Sequence, residues 1–182
     1  TVIVILGILS AVALPVYLDY RTDAKTAATK GALGGVRAAI ANYYARQGAE
    51  VDAENILLTS GTSESFFYLF SMLARPGDNI LTPNPSYPLF DQIAKLTGVE
   101  LRHYQLLEER NWQIDQQDLR NKTDDRTRLI VLISPNNPTG AVHSTTEIDE
   151  VVTWANRQSI PLLCDEVFSE FYFSEGKFPR PI

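Results

Sequence analysis

The chain opens on an unbroken apolar run. From Thr1 to Leu18, "TVIVILGILSAVALPVYL", no charged residue occurs, and a helix of that length is about 27 Å long, enough for the hydrocarbon core of a bilayer. The run predicts a membrane-capable or filament-core helix; the plain alternative is a buried core helix or strand. From Asp19 the pattern turns Ala-rich and amphipathic, with Ala24, Ala28, Leu33, Val36, Ile40 and Tyr44 at helical spacing. One long helix is expected from Thr1 to about Arg46, kinked by Pro15 and weakened at Gly34 and Gly35.

Past Val51 the period changes. "NILLT", "NILTP", "VELRHYQL", "RLIVLIS" and "PLLCDE" are short apolar runs rich in β-branched residues, and "SESFFYLFSMLA", "SYPLFDQIAKLTG", "IDQQDLRNK" and "STTEIDEVVTWANRQ" between them read as helices. Strands alternating with helices imply an α/β fold, a mostly parallel sheet with helices on both faces. Ser144 followed by Glu147 is a capping box that opens the last helix. The expected domains are a hydrophobic and amphipathic helix over 1–47 and an α/β domain over 48–182.

Composition narrows the function classes. With 182 residues, 45% hydrophobic and 21% charged, the chain has room for one sizeable core. A net charge of −6 argues against a phosphate-neutralising face and so against nucleic acid as a partner. Cys164 stands alone, and His103 and His143 are far apart without other ligands at metal spacing, so neither an internal disulfide nor a metal is expected.

Candidate chemistry gathers in four stretches where predicted strands end, which is where open α/β sheets bind ligands. In "TSGTSES", Gly61 lets backbone approach a ligand, and the N–H groups of Thr62 and Ser63 at a helix start form an anion site suited to phosphate. Read alone, the stretch is as easily an N-cap and turn. In "NPSYPLF", prolines on both sides of Tyr87 hold an aromatic ring near a strand end, where it can stack on a flat ligand or stand as a surface tyrosine in a turn. In "SPNNPTG", Pro135 and Pro138 fix the strand exit and Asn137 offers a neutral amide donor, or an Asx turn. In "LLCDEVF", an apolar strand ends in two carboxylates that call for a cation, such as a protonated ring nitrogen, or cap the next segment. A phosphate cradle, a stacking ring, an amide donor and a strand-end carboxylate together make the set that pyridoxal phosphate (PLP) requires.

The chain carries two family resemblances. "VIVILGILSAVALPVYLDYRTDAK" is similar to the N-terminal helix of type IV pilins and type II secretion pseudopilins, whose leader-peptidase site and glutamate would lie upstream of Thr1. Residues from about Arg37 onward resemble class I/II aminotransferases of PLP fold type I, through "TSGTSES", "NPSYPLF", "SPNNPTG" and "CDEVF" taken in order. The join is expected between Val36 and Gln47.

The second resemblance implies that Gly61, Thr62 and Ser63 hold the cofactor phosphate, Tyr87 stacks on one ring face and Val167 packs on the other. It implies further that Asn137 donates to the phenolic oxygen and Asp165 pairs with the pyridinium nitrogen. Phe168 departs from the tyrosine many relatives carry there. The family's Schiff-base lysine and the arginines that bind substrate carboxylate fall beyond Ile182 by this alignment. The expectation is a truncated large domain without a catalytic residue of its own, binding PLP weakly or not at all and inactive alone, with amino acids and 2-oxo acids as the family's substrates and a homodimer as its usual assembly. The alternatives are a pilin-like membrane or filament subunit and a chimeric reading frame without selected function. Location is divided: pilin topology exports the residues past the helix, whereas Arg21, Lys25, Lys30 and Arg37 favour a cytoplasmic side.

Overall fold

The computed structural model describes residues 2–173 and 179; the side chains of residues 2–18 and 20 lie outside that description. The chain divides into two compact units, 1–58 and 59–182.

The first unit is built on one helix, α1 (Val2–Gln47), which runs without interruption through Gly34 and Gly35. It stops where Gly48 turns left-handed at φ 93° and the N–H groups of Gly48 and Ala49 bond back to Ala45 and Tyr44, the usual way of satisfying terminal carbonyls. Leu33 and Val36 are exposed. The expected membrane-capable run, residues 1–18, falls outside the described side chains, and among the described residues no helix is long and apolar enough to cross a membrane.

The second unit is a five-stranded sheet with order β3-β2-β1-β4-β5. Its elements are α2 (Thr62–Leu73), β1 (Asn79–Asn84), α3 (Phe90–Thr97), β2 (Glu100–Leu107), β3 (Gln113–Ile114), α4 (Gln116–Lys122), β4 (Thr127–Ile133), α5 (Thr145–Gln158) and β5 (Leu162–Asp165). β2, β1, β4 and β5 pair in parallel, and the two-residue β3 adds antiparallel to β2.

The apolar runs are continuous because both sheet faces are covered, as parallel strands require. Ile80, Leu129, Val131 and Ile133 pack with Phe66 and Phe70 of α2 and Phe90 and Ile93 of α3. Leu81, Ile130 and Leu132 face the other way, against Leu119 of α4 and Val151 and Ala155 of α5. Alternate residues of β4 thus serve two cores. Tyr104 is fully buried in the second core, and its hydroxyl donates to the Val131 carbonyl at 2.8 Å.

Local chemistry sets the element ends. Asp115 caps α4 by accepting from the N–H groups of Gln117 and Asp118. Ser144 and Glu147 form the predicted capping box of α5. Gly98 ends α3 in the left-handed region at φ 71°, where a Cβ would also lie 3.3 Å from the Pro76 ring.

Two sequence expectations need correction. "NILLT" is not a strand: it follows a short 3-10 turn at Ala53–Asn55 with extended backbone at Ile56, it belongs to none of the five strands, and Leu57 is 72% exposed. An apolar run becomes a strand only where a neighbour takes up its backbone groups. The helix expected from Ser86 begins only at Phe90, since Pro88 disfavours helical backbone at Tyr87.

Candidate functional site

Topology locates the site before any side chain does. The chain leaves β1 toward β2 and β3 on one side, then returns to β4 and β5 on the other. The strand order therefore reverses beside β1, and ligands of open α/β sheets sit beyond the carboxyl ends at such a point. Beyond the ends of β1, β4 and β5 lie "NPSYPLF", "SPNNPTG" and "DEVF".

A cavity of about 120 Å³ opens there, lined by Thr62, Phe66, Tyr87, Ile133, Asn137, Asp165, Val167 and Phe168. Five of the seven candidates, separated by as many as 105 positions in sequence (Thr62 to Val167), share this one cavity. Gly61 and Ser63 do not line it. Ser63 instead places its Oγ 3.1 Å from the Tyr87 hydroxyl, which ties the start of α2 to the ring. Phe66 and Ile133 line the cavity but were not singled out from the sequence; one is the next turn of α2 after Thr62, the other the last residue of β4.

The α2 terminus carries open donors. Gly61 is the N-cap and supplies no side-chain bond to the helix, so the first-turn N–H groups lack the cap that a serine or aspartate would give. Gly61 is extended at φ 167°, a conformation any residue adopts, and a Cβ there would meet nothing within 4 Å. The glycine thus leaves open space in front of these donors.

Tyr87 is half-buried, its ring set edge-on to Phe90 at 5.5 Å and tilted on Phe66 at 6.2 Å. The two asparagines divide their work. Asn136, 2% exposed, holds the turn itself: its N–H donates to Ala141, its carbonyl accepts from Gly140, and its side chain bonds Thr139 and the Pro85 carbonyl. Asn137 is half-buried and lines the cavity. The peptide bonds before Pro135 and Pro138 are both cis.

Asp165 closes the cavity on the β5 side. Its side chain accepts from the Val167 N–H at 3.0 Å. Burial raises its pKa, opposed only by that hydrogen bond, so no cation compensates the carboxylate among the described residues. Among the described residues the site is therefore dipolar, with N–H groups that no side chain caps at one end and a half-buried acid without a cation at the other. Glu166, the second strand-end acid, does not line this cavity. Among the described residues no cluster suited to a metal occurs.

Over residues 19–181 the sequence matches the family described as aminotransferase class I and II. It is 37% identical over 142 residues to a tyrosine aminotransferase of Bos taurus, covering 78% of this chain and 32% of that protein. It is 34% identical over 150 residues to an alanine aminotransferase of Mycobacterium tuberculosis, covering 82% and 35%. Among solved structures, an alanine aminotransferase from Pyrococcus furiosus superposes with a TM-score of 0.77 at 34% identity, over 81% of this chain and 38% of that one. The chain spans about a third of the length of the curated relatives it matches.

Proposed function

The chain belongs to the aminotransferase class I and II family, whose cofactor is PLP, and on that premise we propose that the cavity beyond β1, β4 and β5 is the cofactor-holding part of a transaminase site. The observation that carries this reading is the meeting of Thr62, Tyr87, Asn137, Asp165 and Val167 around one cavity at the strand-order reversal.

Its donor set fits PLP from end to end. Backbone N–H groups of Gly61, Thr62 and Ser63 hold the phosphate, favoured by the helix dipole. The Tyr87 ring and the Val167 side chain take the two faces of the pyridine. Asn137 donates from its neutral amide to the phenolic oxygen. Asp165 receives the ring N–H⁺, and the pairing relieves the cost of burying its carboxylate. PLP supplies an electron sink for the charge left when a substrate Cα loses a proton, and Asp165 sustains it by keeping the ring nitrogen protonated. Phe168 lines the cavity without a hydroxyl, so Asn137 is the side-chain donor to the phenolic oxygen.

Amino acids and 2-oxo acids are the substrates this reading implies, in an assembly that is usually a homodimer in the family. No lysine among the described residues lines the cavity. Lys95 is exposed on α3, and Lys122 is held by Asp118 and the His103 carbonyl. Lys177 lies outside the described residues, and no described lysine is placed to give the covalent link and proton shuttle that a positioned lysine supplies. Incubated with PLP, L-amino acids and 2-oxoglutarate, the chain is expected to form glutamate no faster than free PLP does; turnover clearly above that background refutes this expectation.

The decisive experiment titrates the 182-residue chain with PLP and with pyridoxal, reading absorbance and tyrosine fluorescence. Preference for PLP, and at least tenfold weaker binding by Asp165→Ala, is expected from loss of a charge-assisted bond. Equal binding of the two ligands, or no effect at Asp165, refutes the reading.

A second function is favoured for the first eighteen residues, which carry no charge and precede the region matched to the family. We propose that they act as a pilin-like membrane or filament helix. Co-sedimentation of the full chain with phosphatidylcholine vesicles is expected; a soluble monomer free of detergent and vesicles overturns this reading.

A further inference from the structure

The anion cradle contains an acid. Glu64 lies in the first turn of α2, among the N–H groups assigned to the phosphate. A carboxylate there favours the helix dipole but repels an anionic ligand. Both of its oxygens are engaged. Oε2 accepts from the Ser60 N–H at 2.7 Å and the Ser60 hydroxyl at 2.8 Å, and Oε1 accepts from the Tyr68 hydroxyl at 2.8 Å. The Ser60 N–H, then the Ser60 hydroxyl and Tyr68, hold its pKa below the ordinary glutamate value, so the group is charged at neutral pH.

A second tie crosses the same turn. Thr59 Oγ1 lies 2.7 Å from Ser65 Oγ and donates to the Gly61 carbonyl at 3.2 Å. The segment leading into the helix is thus fastened at Thr59 and at Ser60, just before Gly61, the N-cap that gives α2 no side-chain bond. Gly61 has the widest backbone freedom of any residue, and loose neighbours would let the first-turn amides fray.

We propose that Glu64 is a positioning residue: it grips Ser60 so that the amides after Gly61 stay both uncapped and fixed in direction. This rests on the cofactor reading above. Glutamine can reproduce all three contacts, since its Oε1 accepts from Ser60 twice and its Nε2 donates to the Tyr68 oxygen. Alanine can reproduce none.

The discriminating quantity is the ratio of pyridoxal to PLP dissociation constants, measured on the full chain with far-UV circular dichroism to verify folding. Glu64→Ala is expected to lower the ratio by about fivefold to tenfold, the scale on which losing a preorganised donor set weakens binding. Glu64→Gln is expected to restore it, and Tyr68→Phe, which frees one oxygen of Glu64, to lower it by about twofold. Glu64 acting only on helix stability would shift the melting temperature and leave the ratio alone, which would overturn the proposal while keeping the cofactor reading. A wild-type chain that does not distinguish the two ligands overturns both.

Discussion

Replacing Glu147 by glutamine tests whether a capping box can dominate the acid stability of the α/β unit. The Glu147 carboxylate, 16% exposed, accepts from the Ser144 N–H at 3.0 Å, the Ser144 hydroxyl at 2.9 Å and the Ile114 N–H at 3.1 Å, with His143 Nδ1 at 3.7 Å. Burial by itself would raise its pKa; the close approach of His143 and the hydrogen bonds from Ser144 and Ile114 outweigh burial and bring it from 4.5 to about 2. At about 1.36 kcal/mol per pH unit, that fall sets a ceiling of about 3.4 kcal/mol. Solvent screening and residual order in the unfolded chain bring the expected share down to about 1.5 to 2 kcal/mol. A depressed carboxylate stabilises the fold above its unfolded pKa, so the full contribution is present above about pH 4.5 and vanishes as pH falls toward 2.

Glu147→Gln should therefore cost about 1.5 to 2 kcal/mol at pH 7, and the gap to wild type should close by about pH 2. Urea unfolding monitored by tryptophan fluorescence reads it directly, because Trp112 and Trp154 pack against the core that α5 completes. A loss of equal size at neutral and acid pH would mean that shape and not charge is at stake, and no loss at neutral pH would refute the linkage altogether.

Phe70→Ala, which empties a fully buried position beside Phe66 and Phe90, should cost about 3 to 5 kcal/mol by urea denaturation; a loss below about 1 kcal/mol would show a core that collapses freely. Asn136→Ala should destabilise by about 1 to 3 kcal/mol through its orphaned partners, whereas Asn137→Ala should leave stability within about 0.5 kcal/mol and weaken PLP binding; the reverse pattern would invert the roles given to the two. Asp124, held well below the ordinary carboxylate range by Arg102 and then Asn79, should lend stability at neutral pH that is lost in strong acid. Asp124→Asn is expected to melt lower at neutral pH and level with wild type at the acid end; a pH-independent difference would exclude the charge as the cause.

Much of this fold was legible because its strands are buried on both faces and its helices carry their own stop signals. "RLIVLI" reads as a parallel strand whichever neighbours it has, and Ser144 with Glu147 announces α5 without reference to anything distant. "NILLT" has the same composition and misleads, since pairing is a property of the neighbour and not of the run. β3 escaped notice for the opposite reason: two residues carry no period. That Asn137 and Asp165 stand where strands end was legible in the sequence, and they line one cavity. Nothing in "NN" says which asparagine is buried in the turn, and the link from Glu64 back to Ser60 requires knowing that Gly61 begins the helix.

Asp165 ties the site to the fold through its own cost. A half-buried carboxylate whose side chain accepts one N–H among the described residues carries a desolvation cost in its charged form, which a cationic ligand would relieve. Since burial raises its pKa, the group penalises the folded state at neutral pH and the penalty fades as the pH falls through the raised value. Asp165→Asn keeps the acceptor for Val167 and removes the charge, so the variant without ligand should melt above wild type at neutral pH. With PLP the order should reverse: wild type gains about 2.7 kcal/mol at a ligand concentration about a hundredfold over its Kd, and the variant, lacking the partner for the ring nitrogen, gains far less. Differential scanning fluorimetry with and without PLP measures both signs in one experiment. A ligand-free variant that melts below wild type would show that the carboxylate is already satisfied, and the charge-matching argument for the pyridine ring would fall with it.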